Sequence, residues 1–204
     1  MPEYKSDFWD ERFSVKEFIY GKEPNQFFKE QLDKITSPGK LLLPGEGEGR
    51  NAVYAATRGW FVDAFDQSTV ARLKAEKLAK EKNITINYFT IDLDKFTPIK
   101  NKYDCAALIF IHLSPQVRTT FHKKVIDAIK PGGKIILELF SKNQFGKTSG
   151  GPQDLEMLSS VEEIKNDYNQ LRTILVKEVN IDLAEGEKHS GEASVIRYVG
   201  EKTL

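Results

Sequence analysis

The chain has 204 residues, 40% hydrophobic and 29% charged, proportions that suit one folded domain. Its 30 Lys+Arg balance 30 Asp+Glu, and a formal net charge of zero excludes nucleic-acid binding by bulk positive charge. One cysteine, Cys105, excludes an intrachain disulfide and a multi-cysteine zinc centre, and no apolar run is long enough to span a bilayer.

The first eleven residues are polar and charged, unlike a secretory signal, so a cytoplasmic protein with no membrane partner is expected. Within residues 24–35, Phe27, Phe28, Leu32 and Ile35 fall at helical spacing, and the aromatic, charged segment 7–13 is expected to cover another part of the fold. Ser37, Pro38 and Gly39 precede a short buried strand at 40–43, which stops at Pro44 and Gly45. A helix over 50–58 ends at Gly59, and a strand over 60–65 leads to Asp66. Ser68 is placed to cap the next helix, with Val70, Leu73 and Leu78 inward.

Residues 84–91 and 103–111 read as the third and fourth strands, the latter apolar throughout like a central parallel strand. Ser114 and Pro115 open a helix whose inward stripe is Val117, Phe121, Val125 or Ile126, and Ile129. Lys130-Pro131-Gly132-Gly133 stops it before a fifth strand at 134–140. Residues 141–159 show no clear period, and a loop of that length is expected to serve function. Ser160 and Glu163 form a capping box. Strands at 174–183 and 193–199, joined by the polar residues 184–192, read as an antiparallel hairpin. The alternation predicts an α/β fold, a mostly parallel sheet with helices on both faces. Ligands of such sheets bind at the carboxyl ends of the strands, here residues 44–49, Asp66, Asp92, His112 and residues 140–142.

The strongest feature is the turn after the first strand, Gly45-Glu46-Gly47-Glu48-Gly49-Arg50-Asn51-Ala52. Glycines between strand and helix let a ligand approach the backbone, and Asp66, about 20 residues on, is placed to bind a ribose hydroxyl pair. Gly47 to Ala52 also fits GxGxxA, so NAD is a candidate. Glu46 and Glu48 oppose a pyrophosphate at the helix N-terminus and favour a ligand with a positive centre, such as S-adenosylmethionine. Glycines that only permit tight strand–helix packing are the third possibility.

From about Phe8 onward the sequence resembles the class I S-adenosylmethionine-dependent methyltransferases. The nearest subgroup is the small enzymes around the tellurite-resistance and thiopurine methyltransferases. The matching pieces are the glycine turn, Val62-Asp63-Ala64-Phe65-Asp66-Gln67-Ser68, Ile91-Asp92-Leu93, Tyr103-Asp104, the run from Ile109 to Pro115, and Leu137-Glu138. The resemblance implies a Rossmann-like, doubly wound, seven-stranded sheet with an antiparallel C-terminal strand. It implies S-adenosylmethionine as cofactor, held by Gly45, Glu46, Gly47, Gly49 and Asn51 at the methionine and ribose. Asp66 would bond both ribose hydroxyls, with Gln67 and Ser68 also at the cofactor, Asp92 and Leu93 would serve the adenine, and Ile109 and Phe110 the methionine moiety. Arg12 and Tyr20 would belong to a cap, with Arg12 on the cofactor carboxylate. Leu43 stands where the family has an acidic residue, and Glu46 is the residue expected to compensate.

The expected organisation is one domain over residues 1–204, with a helical cap at 1–39, a cofactor core at 40–140 and an acceptor side at 141–204. The compact size favours a small-molecule acceptor, with no nucleic acid or membrane partner and a monomer or homodimer as the assembly. Methyl transfer from a sulfonium is an in-line displacement that needs a base only if the acceptor must lose a proton. His112 is the base candidate, against a purely structural histidine. His189 reads as a solvated turn residue, His122 as helix surface and Cys105 as inert core. An NAD(P)-dependent oxidoreductase and a non-catalytic cofactor-binding module are the alternatives.

Overall fold

A computed structural model describes residues 6–203. Two helices, α1 (Ser6–Phe13) and α2 (Gln26–Leu32), precede the sheet. Asn25 starts α2 by accepting the Phe28 N–H on its side chain. The core then runs β1 (Lys40–Pro44), α3 (Arg50–Thr57), β2 (Phe61–Asp66), α4 (Thr69–Glu81), β3 (Asn87–Thr90) and β4 (Tyr103–Ile109). It continues with α5 (Pro115–Ala128), β5 (Ile129–Phe140), α6 (Val161–Asp167), β6 (Leu171–Ala184) and β7 (Ser190–Lys202).

The seven strands form one sheet in the order β3-β2-β1-β4-β5-β7-β6. Strands β1 to β5 are parallel, and β7 is antiparallel to both β5 and β6. Chain order reverses between β1 and β4, which opens a crevice at their carboxyl ends. Side-chain alternation on β1 sorts the core into two layers. Leu42 packs with Phe121 and Val125 of α5 on one face, and Leu41 and Leu43 pack with Phe28 and Ala55 on the other. Leu43, 1% exposed, is therefore core and not part of the crevice.

Several local expectations shift. Strand β3 spans only four residues, Asn87–Thr90, shorter than the expected 84–91. Strand β4 stops at Ile109 because Phe110 adopts φ 55°, which breaks the extended backbone. Helix α4 turns Ala71, Ala75, Leu78 and Ala79 inward, while Leu73 is 56% exposed. Helix α5 ends at Ala128, and residues 130–133, expected as the stop between it and the strand, already lie inside β5. Tyr103 pairs with Ile129 but Cys105 with Lys134, so the Pro-Gly-Gly segment bulges from the ladder.

Residues 141–159 are built, not loose. Two 3-10 turns, Lys142–Gln144 and Leu155–Met157, frame them. The buried Gln144 amide donates to Ser149 Oγ and Gly150 O and accepts the Ser194 N–H. The Ser160–Glu163 capping box forms as expected. Among the described residues no helix is long and apolar enough to cross a membrane.

Candidate functional site

Gly45, Gly47 and Gly49 leave β1 with φ of 55°, 62° and 88°, and the turn they make is tied down on every side. Asp66, at the end of β2, accepts the Gly47 N–H at 3.0 Å on one carboxylate oxygen and the Ser68 N–H at 2.9 Å on the other. The Tyr88 hydroxyl donates to Gly47 O at 2.6 Å. Glu46 folds back over the start of α3, where it accepts the Ala52 N–H at 2.7 Å and the Asn51 amide at 3.4 Å. Glu48 stands 2.6 Å from the Lys74 ammonium. Burial pushes the Glu46 carboxyl up to about 7 and that of Asp66 to about 6. The carboxylates expected from sequence thus gather here, but each is already bound to the chain. Their net negative field is smaller than their number suggests.

A cavity of about 600 Å³ opens beside this turn. Its walls include Gly45, Glu46, Gly47 and Asn51 from the turn and α3, and Asp66, Gln67, Asp92 and Leu93 from the ends of β2 and β3. Ile109, Phe110 and His112 close it beyond β4, and Tyr20 comes from the N-terminal segment. Three expected site residues lie outside the wall. Gly49 is the N-cap of α3 and backs onto Ala75 of α4. Ser68 is fully buried, caps α4 through the Ala71 N–H and donates to Asp10. The Arg12 guanidinium lies 5.8, 5.7 and 5.9 Å from the ring centroids of Phe8, Trp9 and Tyr20.

Two stretches distant in sequence roof the cavity. Trp9, Phe13 and Tyr20 line it from the N-terminal side and His189 from the β6–β7 turn. A buried network joins them. Arg50 donates to Tyr20 O at 3.0 Å and pairs with Glu185 at 2.8 Å. The Asn25 amide donates to Glu185 at 2.9 Å and to Glu138 at 2.6 Å, and Arg197 completes Glu138 at 2.5 Å. Gly186 allows the contact, with φ 82° and a virtual Cβ that would lie 2.6 Å from Gly21 N.

The three histidines sort differently from expectation. His112 Nδ1 lies 3.3 Å from Met157 O, and a carbonyl only accepts, so Nδ1 carries the proton and Nε2 the lone pair. That Nε2 is buried without a partner, and burial pulls the imidazole down to about 4. His189 is not solvated: it is 6% exposed, its ring centroid 4.6 Å from that of Tyr20. His122 is not on the helix surface either. It is 2% exposed, bonds Asp167 at 2.9 Å and stacks on Tyr168. Cys105 is fully buried, with its thiol pushed up to about 12.

Sequence reasoning missed Asn25, Glu185 and the joining role of Glu138. The one available signal was a lone acid in the otherwise apolar run Ile135–Phe140, since such a group needs buried partners. Phe110 in the left-handed region, held by its N–H to Glu138 O at 2.7 Å, is backbone strain at the cavity wall.

The family model described as "Tellurite resistance protein TehB" matches residues 16–197. A curated relative, 2-heptyl-1-hydroxyquinolin-4(1H)-one methyltransferase of Mycobacteroides abscessus, is 26% identical over 117 residues, covering 56% of this chain and 52% of that protein. The chain thus matches about half the length of that relative. Among solved structures, TehB from Haemophilus influenzae superposes with a TM-score of 0.73 at 16% identity, covering 97% of this chain and 67% of the other. A SAM-dependent methyltransferase from Methanosarcina mazei superposes at 0.71 and 14% identity, covering 89% and 99%. At those identities the superpositions establish the fold.

Proposed function

The chain belongs to the tellurite resistance protein TehB family, and from that premise we propose that it transfers a methyl group from S-adenosylmethionine to a small-molecule acceptor by in-line displacement. The observation that carries the reading is the cavity at the β1–β4 crevice. The glycine turn floors it, and it is lined by Asp66 and Asp92. The Asp66 carboxylate accepts the Gly47, Ser68 and Gln67 N–H groups, and its four lone-pair sites leave capacity for a ribose hydroxyl. The methyltransferase relative supports the same class of chemistry.

In this reading Gly45, Glu46, Gly47 and Asn51 hold the methionine and ribose parts of the cofactor. Asp66 and Gln67 hold the ribose, Asp92 and Leu93 the adenine, and Ile109 and Phe110 border the methionine. The bound cofactor supplies an electrophilic methyl on a sulfonium, a group that leaves as a neutral thioether. The aromatic roof of Trp9, Phe13 and Tyr20 excludes water. His112 Nε2, neutral at pH 7, takes the acceptor's proton. Residues 1–39 then act as cap, 40–140 as cofactor core and 141–204 as acceptor side, in a cytoplasmic monomer or homodimer.

The base is tested by His112→Gln. Its kcat with a proton-losing acceptor is expected to fall about 100-fold while cofactor affinity stays within twofold. An unchanged kcat would remove the base. Affinity for S-adenosylmethionine is also expected to depend on pH. Glu46 and Asp66 titrate near 7 and 6 in the free protein, and a cation prefers their ionised forms. Calorimetry from pH 5.5 to 8 is expected to show binding tightening roughly tenfold, then levelling. The same raised values make the free protein lose stability from these two groups as pH climbs from about 4 through 7, so ligand binding and stability run in opposite directions. A flat affinity profile would contradict the assignment.

A further inference from the structure

The N-terminal segment that roofs the cavity folds round one cation. Between Phe13 and Tyr20, two of the roof residues, the chain has neither helix nor strand, and residues 14–17 are exposed. Apolar burial does not hold those four residues, so their backbone is held by polar contacts. Three carbonyls of the stretch turn inward. Lys74 of α4 donates from its ammonium to Phe13 O at 3.2 Å, Val15 O at 2.9 Å and Glu17 O at 2.6 Å. The same nitrogen stands 2.6 Å from the Glu48 carboxylate and 5.1 Å from the Phe18 ring centroid. An ammonium has three protons, and all are directed at this loop and at Glu48.

These contacts join the roof of the cavity to its floor. Glu48 belongs to the glycine turn, lines the cavity and accepts the Tyr20 N–H at 3.4 Å. Phe13 seats on the same turn, where a Cβ at Gly47 would lie 3.4 Å from the end of its ring. Trp9 stacks on Phe13 with centroids 5.6 Å apart. Two further ties hold the ends of the segment: Asp10 accepts the Ser68 hydroxyl and the Val70 N–H, and Arg50 donates to Tyr20 O. Of these ties, that of Lys74 is the one that reaches residues 15 and 17. Lys74 itself is not part of the cavity wall.

We infer that Lys74 is a positioning residue of the cofactor site, whose ammonium seats the aromatic roof on the glycine turn and so sets how fast the cofactor leaves. The inference rests on the methyl-transfer reading above. Without the ammonium, three inward carbonyls lose their donor and turn out to water. Glu48 becomes a buried carboxylate without its counter-charge. Both losses favour an open roof. The roof closes over a ligand already seated, so opening it speeds exit and leaves entry nearly unchanged.

The test reads S-adenosylhomocysteine binding and release by stopped-flow fluorescence of the full chain. Trp9 lines the cavity, whereas Trp60, the other tryptophan, is core, so the signal reports the roof. Lys74→Met is expected to release the ligand at least tenfold faster, with the association rate within threefold and the Trp9 response to binding lost. Hydrogen exchange of the amides at 14–18 is expected to quicken while that of β4 does not, a split that a general loss of stability would not give. Lys74→Arg keeps a cation that donates to carbonyls and is expected to stay within threefold of the unaltered chain. Lys74→Gln, which shortens the reach and removes the charge, is read like Lys74→Met and serves where circular dichroism shows that Lys74→Met does not fold. Release within twofold of the unaltered chain in a folded Met or Gln variant, or Lys74→Arg as fast as Lys74→Met, would overturn the role of Lys74 while leaving methyl transfer in place. Failure of the unaltered chain to bind S-adenosylhomocysteine would remove the methyl-transfer reading and this role with it.

Discussion

Asp66→Ala is expected to weaken S-adenosylhomocysteine binding by at least 100-fold. Two losses combine. In the proposed complex the carboxylate accepts a ribose hydroxyl, and a hydrogen bond to a charged group contributes about 1.5–3 kcal/mol. The same carboxylate anchors the glycine turn through the Gly47 and Ser68 N–H groups. Without it both donors are left buried, at about 1–3 kcal/mol each, and the turn loses the conformation that floors the cavity. Every 1.4 kcal/mol of binding energy is a factor of ten, so the loss exceeds two decades. Calorimetry reads the affinity, and circular dichroism checks that the variant is folded. Affinity retained within threefold in a folded variant would remove Asp66 from the ribose site.

Gly49→Ala carries the largest expected effect on stability. Gly49 has φ 88°, and a Cβ there would lie 2.8 Å from the Ala75 Cα and closer still to its Cβ. The backbone strain costs about 1–3 kcal/mol and the overpacking of two main-chain segments about as much again. For a chain of this size each kcal/mol lowers Tm by about 2–4 °C, so a fall of roughly 6–15 °C is expected. Gly132→Ala is the matched control, since Gly132 has φ 78° and nothing within 4 Å of its virtual Cβ. It carries the conformational cost alone and is expected to fall by less than half as much. Equal shifts in the two variants would mean that the contact between α4 and the glycine turn is not tight.

That contact also shows what the sequence made legible. The turn, its flanking strand and helix, and Asp66 lie close together in sequence, and their chemistry is local: glycine for positive φ, an acid at a strand end. The apolar run of β4 and the capping box of α6 are equally local and stand where expected. Gly49 lies outside the cavity wall, and a glycine kept for close packing against Ala75 has the same local signature as one kept for a ligand. Ser68 caps α4 as expected and likewise lies outside the cavity wall. On α4 Leu78 is buried and Val70 packs inward as expected, but Leu73 is exposed and Ala71, Ala75 and Ala79 complete the inward face.

The roof was illegible for a different reason. Asn25, Arg50, Glu138, Glu185 and Arg197 are brought together by contacts spanning up to 160 residues. Arg50 belongs to the glycine turn and Glu138 is a lone acid in an apolar run, but nothing local says that they meet Asn25, Glu185 and Arg197. His189 reads as solvated for the same reason, since its burial depends on Tyr20 and on the approach of Gly186 to the N-terminal segment. His122 became buried only because α6 brings Asp167 against α5. The sequence did contain the aromatic roof residues Trp9, Phe13 and Tyr20, but nothing local said what they cover.

The central claim is that the cavity at the β1–β4 crevice holds S-adenosylmethionine and not a pyrophosphate dinucleotide. A calorimetric titration of the full chain with S-adenosylhomocysteine and, separately, with NADH tests it most directly. Saturable one-to-one binding of S-adenosylhomocysteine in the micromolar range, with no heat from NADH, is the predicted result. Saturable binding of NADH with none of S-adenosylhomocysteine would contradict it.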